Sequence, residues 1–162
     1  LSARVQASRG LVPTMVRLEG EALLRLMEIR RTLENDVVRK ATINATTAQR
    51  QEISRLCDLL LIEVNAGRPW RKADHAFHGA VYDASGNPMY GQLLVNLDHA
   101  LERGGSSPFA ADNFGLDSFP IHRDLADAIL ASDAEAAVAA INRILDTVER
   151  EVKAIIDGGK LG

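Results

Sequence analysis

The chain has 162 residues, 46% of them apolar, with 19 basic and 22 acidic side chains, four histidines and one cysteine. That length suits one domain with a true core. A formal charge of −3 argues against nucleic-acid binding by this segment alone, because phosphate contacts need a basic face. One cysteine excludes an internal disulfide and any multi-cysteine metal framework. No apolar run, Leu59-Leu60-Leu61-Ile62 included, approaches the roughly 20 residues that cross a bilayer. Arg4 and Arg9 interrupt anything resembling a targeting core. The expectation is a soluble, reduced, cytoplasmic domain. Because the first residue is Leu rather than Met, the chain reads as a fragment or a processed form.

Residues 1–17 carry Arg4, Arg9 and Arg17, no acidic residue, and both Gly10 and Pro13. They show no clear amphipathic period and read as a linker or arm. From Leu18 onward the pattern is helical. No stretch alternates with period two, and aromatics are only 4%, so strands are not expected. A first helix is predicted over about Gly20 to Lys40, with Leu23, Leu26, Leu33 and Val37 on one stripe. A second starts near Thr46, where Thr46-x-x-Gln49 fits a capping box, carries Ile53, Leu56, Leu60 and Val64, and stops at Gly67. Pro69 suits the first turn of a third. Ser85-Gly86-Asn87-Pro88 is turn chemistry, and a fourth helix follows through Leu93, Leu94, Leu97 and Leu101.

Residues 104–117 read as a loop. A fifth helix is predicted from near Ser118 to Ala131, with Pro120 in its first turn. Ser132-x-x-Glu135 suggests another capping box, opening a sixth helix through Ile141, Ile144, Val148, Val152 and Ile155 that Gly158-Gly159 closes. The fold class is all-α, an antiparallel bundle of about six helices spanning residues 18–162.

In such a bundle the informative residues are polar ones inside apolar stripes. Trp70, Ala73, Phe77 and Val81 define the buried face of the third helix. Asp74 and His78, four residues apart, fall in the same arc and project from consecutive turns. His75 points elsewhere, toward the surface. On the fifth helix, His122 lies near the edge of the stripe formed by Ile121, Leu125, Ala128 and Ile129. On the first, Arg30 stands between Leu26 and Leu33, where an unanswered guanidinium would cost several kcal/mol. Arg31 shares the other face with Glu28 and is expected outside.

One reading makes Asp74, His78 and His122 the ligands of a divalent ion such as zinc, nickel or manganese, with Arg30 receiving an anionic ligand. The other makes Asp74 and His78 a buried ion pair and bonds His122 to backbone. Cys57 reads as a small core residue. Asp98-His99 reads as a solvated helix face, and Ser106-Ser107 lacks a nucleophile-elbow pattern.

Several motifs then come together. Leu26-Met27-Glu28-Ile29-Arg30-Arg31-Thr32-Leu33-Glu34 resembles the L-x-E-x-R-x-x-L-E opening of the ligand-binding (FCD) domain of FadR-subfamily GntR transcription regulators. Asp74-His75-Ala76-Phe77-His78 is similar to that family's D-x-x-F-H, and Ala84-Ser85-Gly86-Asn87-Pro88 to its A-x-G-N-P turn. His122-Arg123-Asp124-Leu125-Ala126-Asp127-Ala128-Ile129 and Ser132-Asp133-Ala134-Glu135-Ala136-Ala137 resemble two further motifs, so the likeness covers about residues 20 to 150.

The resemblance implies an all-helical, homodimeric domain that binds a small carboxylate effector. It also implies an N-terminal winged helix-turn-helix domain, absent from this chain, that reads operator DNA, with residues 1–17 as the end of the linker. Metal-binding members use an Asp and three His. Asp74, His78 and His122 match the first three, but Ile144 stands where the last His belongs. That leaves either a three-ligand site completed by water or effector, or a pocket without metal. The leading functional expectation is a non-enzymatic effector sensor. The alternatives are a metal-dependent hydrolase or lyase, and a ligand-free dimerisation bundle.

Overall fold

The computed structural model describes residues 3–100 and 107–158, with side chains from residue 12 onward. Six helices are found among them: α1 (Ala3–Asn44), α2 (Thr47–Asn65), α3 (Arg71–Ala84), α4 (Met89–His99), α5 (Phe119–Leu130) and α6 (Ala134–Gly158). Two single 3-10 turns, Pro108–Ala110 and Leu116–Ser118, interrupt the predicted loop before α5, and no strand occurs among the described residues. The all-α bundle is as expected from the periodicity. Leu101, residues 104–106, Gly159 and the side chains of Arg4 and Arg9, which figured in the sequence reading, lie outside the described residues.

Short connections fold α3 back on α2, α4 on α3 and α6 on α5. Thr46 caps α2 as predicted: its side chain accepts from the Gln49 N–H, and the Gln49 side chain returns to the Thr46 N–H. Gly67, in the left-handed region at φ 65°, lets the chain leave α2. Helices α1, α6, α5, α2 and α3 then pack in a ring, and α4 lies against α1 and α3. Phe77, Ile53, Leu60, Leu94, Leu125, Ile129 and Ile141 are among the side chains fully buried at the centre.

Three boundaries differ from the sequence reading. The first helix does not wait for Gly20; it begins at Ala3 and runs through Gly10 and Pro13. Those residues weaken a helix without ending it, and Val16, Leu23 and Met27 carry the apolar stripe onward. At Gly20 α1 comes so close to α6 that an added Cβ would meet Ile156 at 2.7 Å. Pro69 lies just before Trp70, the N-cap of α3, rather than inside the first turn. The cap of α6 is Asp133, whose carboxylate accepts from the Ala136 N–H, and not Ser132, which takes a left-handed φ of 62°.

Polar seams tie the ring together. Arg31 is not an outward residue: it reaches across to Asn142 (2.9 Å) and Asp146 (2.7 Å) on α6, beside a reciprocal Asn35–Asn142 amide pair. Arg50 on α2 donates to the Thr42 carbonyl (2.8 Å) and to the Ile129 carbonyl. It thereby adds a donor to carbonyls near the C-terminal ends of both α1 and α5, where a cation also suits the helix dipole. Replacing Arg50 with Met should lower unfolding free energy by about 1.5–3 kcal/mol, the range for hydrogen bonds to charged groups. Urea denaturation followed by circular dichroism measures this, and an unchanged midpoint would contradict the role.

Candidate metal and effector site

Asp74, His78 and Tyr82 stand at four-residue intervals on α3, so their side chains rise in one column. His122 faces them from the first turn of α5. The chain before α5 is held in place by Trp70, which donates to the Asp112 carbonyl (3.1 Å) and packs edge-on against Phe119 with centroids 4.7 Å apart. Phe77 and Phe119 flank the His122 ring at 5.6 and 5.2 Å. His122, expected near the edge of its stripe, is fully buried, and His75 is exposed as expected.

Three of the predicted site residues converge. The Nε2 atoms of His78 and His122 are 3.1 Å apart, and Asp74 Oδ1 lies 3.3 Å from the first and 3.4 Å from the second. His122 Nδ1 is 2.9 Å from the Ser118 carbonyl oxygen. A carbonyl only accepts, so Nδ1 carries the proton, and the lone pair of neutral His122 is on Nε2, facing Asp74 and His78. A proton shared between the two Nε2 atoms leaves Asp74 Oδ1 without a donor. That oxygen is buried and has no hydrogen-bond partner.

Burial works to raise the Asp74 pKa, but the adjacent imidazoles, His78 first, hold it well below the ordinary carboxylate value. Burial likewise works to lower His78, and the Asp74 carboxylate outweighs it and raises the imidazole's pKa. The donor set fits a divalent first-row ion. Bonds of about 2.1 Å place neighbouring ligands about 3.0 Å apart in an octahedron and about 3.4 Å apart in a tetrahedron. The three observed separations, 3.1, 3.3 and 3.4 Å, lie within that span, and the Ser118 carbonyl orients His122 as an outer-shell partner would. Ile144, at the place of the expected fourth ligand, is buried on α6.

Arg30 belongs to a second cluster one turn along α3. Its Nε donates to Glu34 Oε1 (3.2 Å), its Nη2 to the Tyr82 hydroxyl (3.3 Å), and its Nη1 to Asp98 Oδ1. Tyr82 in turn donates to Glu34 Oε1 at 2.6 Å. Burial works against the guanidinium's charge, yet Tyr82, Glu34 and Asp98 outweigh it and raise the Arg30 pKa. The protein therefore supplies partners for the cation that the sequence left unanswered. The rings of His78 and Tyr82, 6.2 Å between centroids, join the two clusters.

Glu34, Tyr82 and Asp98 were missed as site residues. Glu34 stands seven residues after Met27 and four before Val38, on the most buried line of α1, so its stripe position was a usable signal. Tyr82 continues the 74–78 spacing. Asp98, expected on a solvated face, pairs with a residue 68 positions away, and no local pattern announces that. Cys57 is a core residue as expected: it is buried, and burial pushes its thiol up to about 11.

Two outcomes follow. Cys57 should resist a disulfide-exchange reagent such as DTNB at pH 8 in the folded protein and react promptly in denaturant; fast native reaction would place the thiol at the surface. Tyr82→Phe should cost about 1–3 kcal/mol in thermal or urea unfolding, because it strips a donor from a carboxylate buried to 1% exposure. A loss within experimental error would mean that Glu34 finds another donor.

The FCD domain family model matches residues 25–147, a span that contains both clusters and most of the chain. No curated protein matches the chain. By that family match the chain belongs to the FCD domain family, the effector-binding domain of GntR-family transcription regulators.

Proposed function

We propose that this domain is the sensor of a FadR-subfamily GntR regulator, and that it binds a small organic acid on a divalent metal held by Asp74, His78 and His122. The observation that carries the reading is the buried, unpartnered Asp74 Oδ1 meeting two imidazole Nε2 atoms at 3.1–3.4 Å separations. One cation satisfies all three atoms at once, whereas one proton does not. Charge balance supports the same conclusion. Glu34 and Asp98 are two carboxylates on the one guanidinium of Arg30, so that cluster by itself offers an anionic effector no net positive charge.

Zinc, nickel and manganese suit this donor set. With three protein ligands, coordination positions remain for an effector carboxylate or water. Arg30, about one quarter exposed, is the second contact for the acid. Helix α1 runs unbroken from Ala3 to Asn44, so Arg30 and Glu34 share a rigid element with the chain's N-terminal stretch. In our reading that stretch links a winged helix-turn-helix reader to the sensor in a cytoplasmic homodimer. The effector then acts by binding one arrangement of the dimer better than the other, which changes operator affinity. The domain has no catalytic role in this reading.

The test is elemental analysis of protein purified without chelator or histidine tag. The expected result is about one equivalent of a first-row metal per chain, with affinity falling more than about a hundredfold in His122→Ala, beyond the effect of losing an outer-shell partner. Ile144→His should tighten binding by adding a fourth ligand. Failure to take up zinc, nickel or manganese at any added concentration would remove coordination chemistry from the site.

A further inference from the structure

Arg30 divides its guanidinium between two carboxylates of unequal standing. Glu34 is 1% exposed and braced by Tyr82, whereas the Asp98 side chain is 32% exposed. The Arg30–Asp98 pair is therefore the part of the network that water, or another anion, can reach. Asp98 is also the penultimate residue of α4, at the helix end where backbone carbonyls carry partial negative charge. A carboxylate is unfavourable there unless a cation answers it, and Arg30 does so. Near its start α4 is tied to α1 by Tyr90, whose hydroxyl donates to Asp36 and accepts from Lys40, and Leu94 and Leu97 pack on the core; at its C-terminal end the polar tie to α1 is Asp98 on Arg30.

From this we infer that Asp98 is a built-in competitor of the effector: it occupies on Arg30 the place that an effector carboxylate takes, and its displacement releases the C-terminal end of α4. The exchange swaps one carboxylate for another on Nη1, so the guanidinium stays paired, and the charge released goes to a side chain already near solvent. Glu34 and Tyr82 keep the guanidinium oriented throughout. Effector binding thus becomes a change in the tethering of a whole helix. The inference rests on the reading in which Arg30 contacts the effector.

The experiment compares wild-type, Asp98→Asn, Arg30→Ala and the double variant, each checked for helical circular dichroism, with Asp98→Ala as a second substitution should Asn perturb folding. Acetate, malonate and succinate are titrated by calorimetry in the presence of zinc. D98N should bind the tightest of these about tenfold or more tightly than wild type, as removal of one charge-assisted hydrogen bond to a competitor would give. R30A should weaken binding, and D98N added to R30A should give no gain. Amide exchange at Ala100, bonded to the Leu97 carbonyl, should be faster in D98N than in wild type without ligand. Equal affinity of D98N and wild type, or no probe bound by D98N, would overturn the competition. Unchanged affinity in R30A would instead overturn the Arg30 contact itself.

Discussion

Asp74 brings a carboxylate into the interior of a helical bundle, and the architecture around it is arranged to keep that carboxylate ionised. Removing a lone carboxylate from water costs several kcal/mol, so an ionised one must be met by positive charge or by donors. Two imidazole Nε2 atoms stand beside it at 3.3 and 3.4 Å, one from the next turn of α3 and one from α5. Both rings are set by their surroundings: His122 by the Ser118 carbonyl and two phenylalanines, His78 by Phe77 and Tyr82. Even so, Oδ1 ends without a hydrogen bond. Three electron-pair donors converge on one point, the two imidazoles held by neighbouring groups, in a cluster able to hold a metal ion, and that is the basis of the sensor account.

The second cluster gives this site its direction. Tyr82 touches both: its ring lies beside His78 and its hydroxyl bonds Glu34. Whatever binds at the Asp74 end therefore shares a wall with Arg30, and Arg30 lies on the helix that continues to the chain's N-terminal stretch. Coupling between an effector and a distant DNA reader needs an element with two arrangements that the effector weighs differently. Asp98 at the end of α4 is such a candidate, since one guanidinium serves it in competition.

Local regularities of the chain were readable because they have local causes. Amphipathic stripes predicted six helices, the Thr46–Gln49 box formed as written, and the four-residue spacing of Asp74 and His78 placed them side by side. The misreadings have causes of another kind. Gly10 and Pro13 look like breakers, but α1 continues through them and packs Val16 on the core. Ser132 and Asp133 both offer a cap, and only the tertiary path of the chain selects Asp133. Arg31 and Asp98 seemed solvated because their partners lie 115 and 68 residues away. The full burial of His122 likewise depends on Phe77, a ring from α3, as well as on Phe119 of its own turn. Of the candidate site, the convergence of Asp74, His78 and His122 was legible from spacing and resemblance together, whereas the network that holds Arg30 was not.

The most direct test of the proposed cation site is the thermal midpoint of chelator-stripped protein with and without added zinc, in the wild type and in Asp74→Asn. A ligand bound only by the folded state stabilises it by about 2.7 kcal/mol at a hundredfold excess over Kd. The account predicts a rise of several degrees in the wild type, saturating at one ion per chain, and little or none in Asp74→Asn. An unmoved wild-type midpoint, or an equal rise in both proteins, would contradict it.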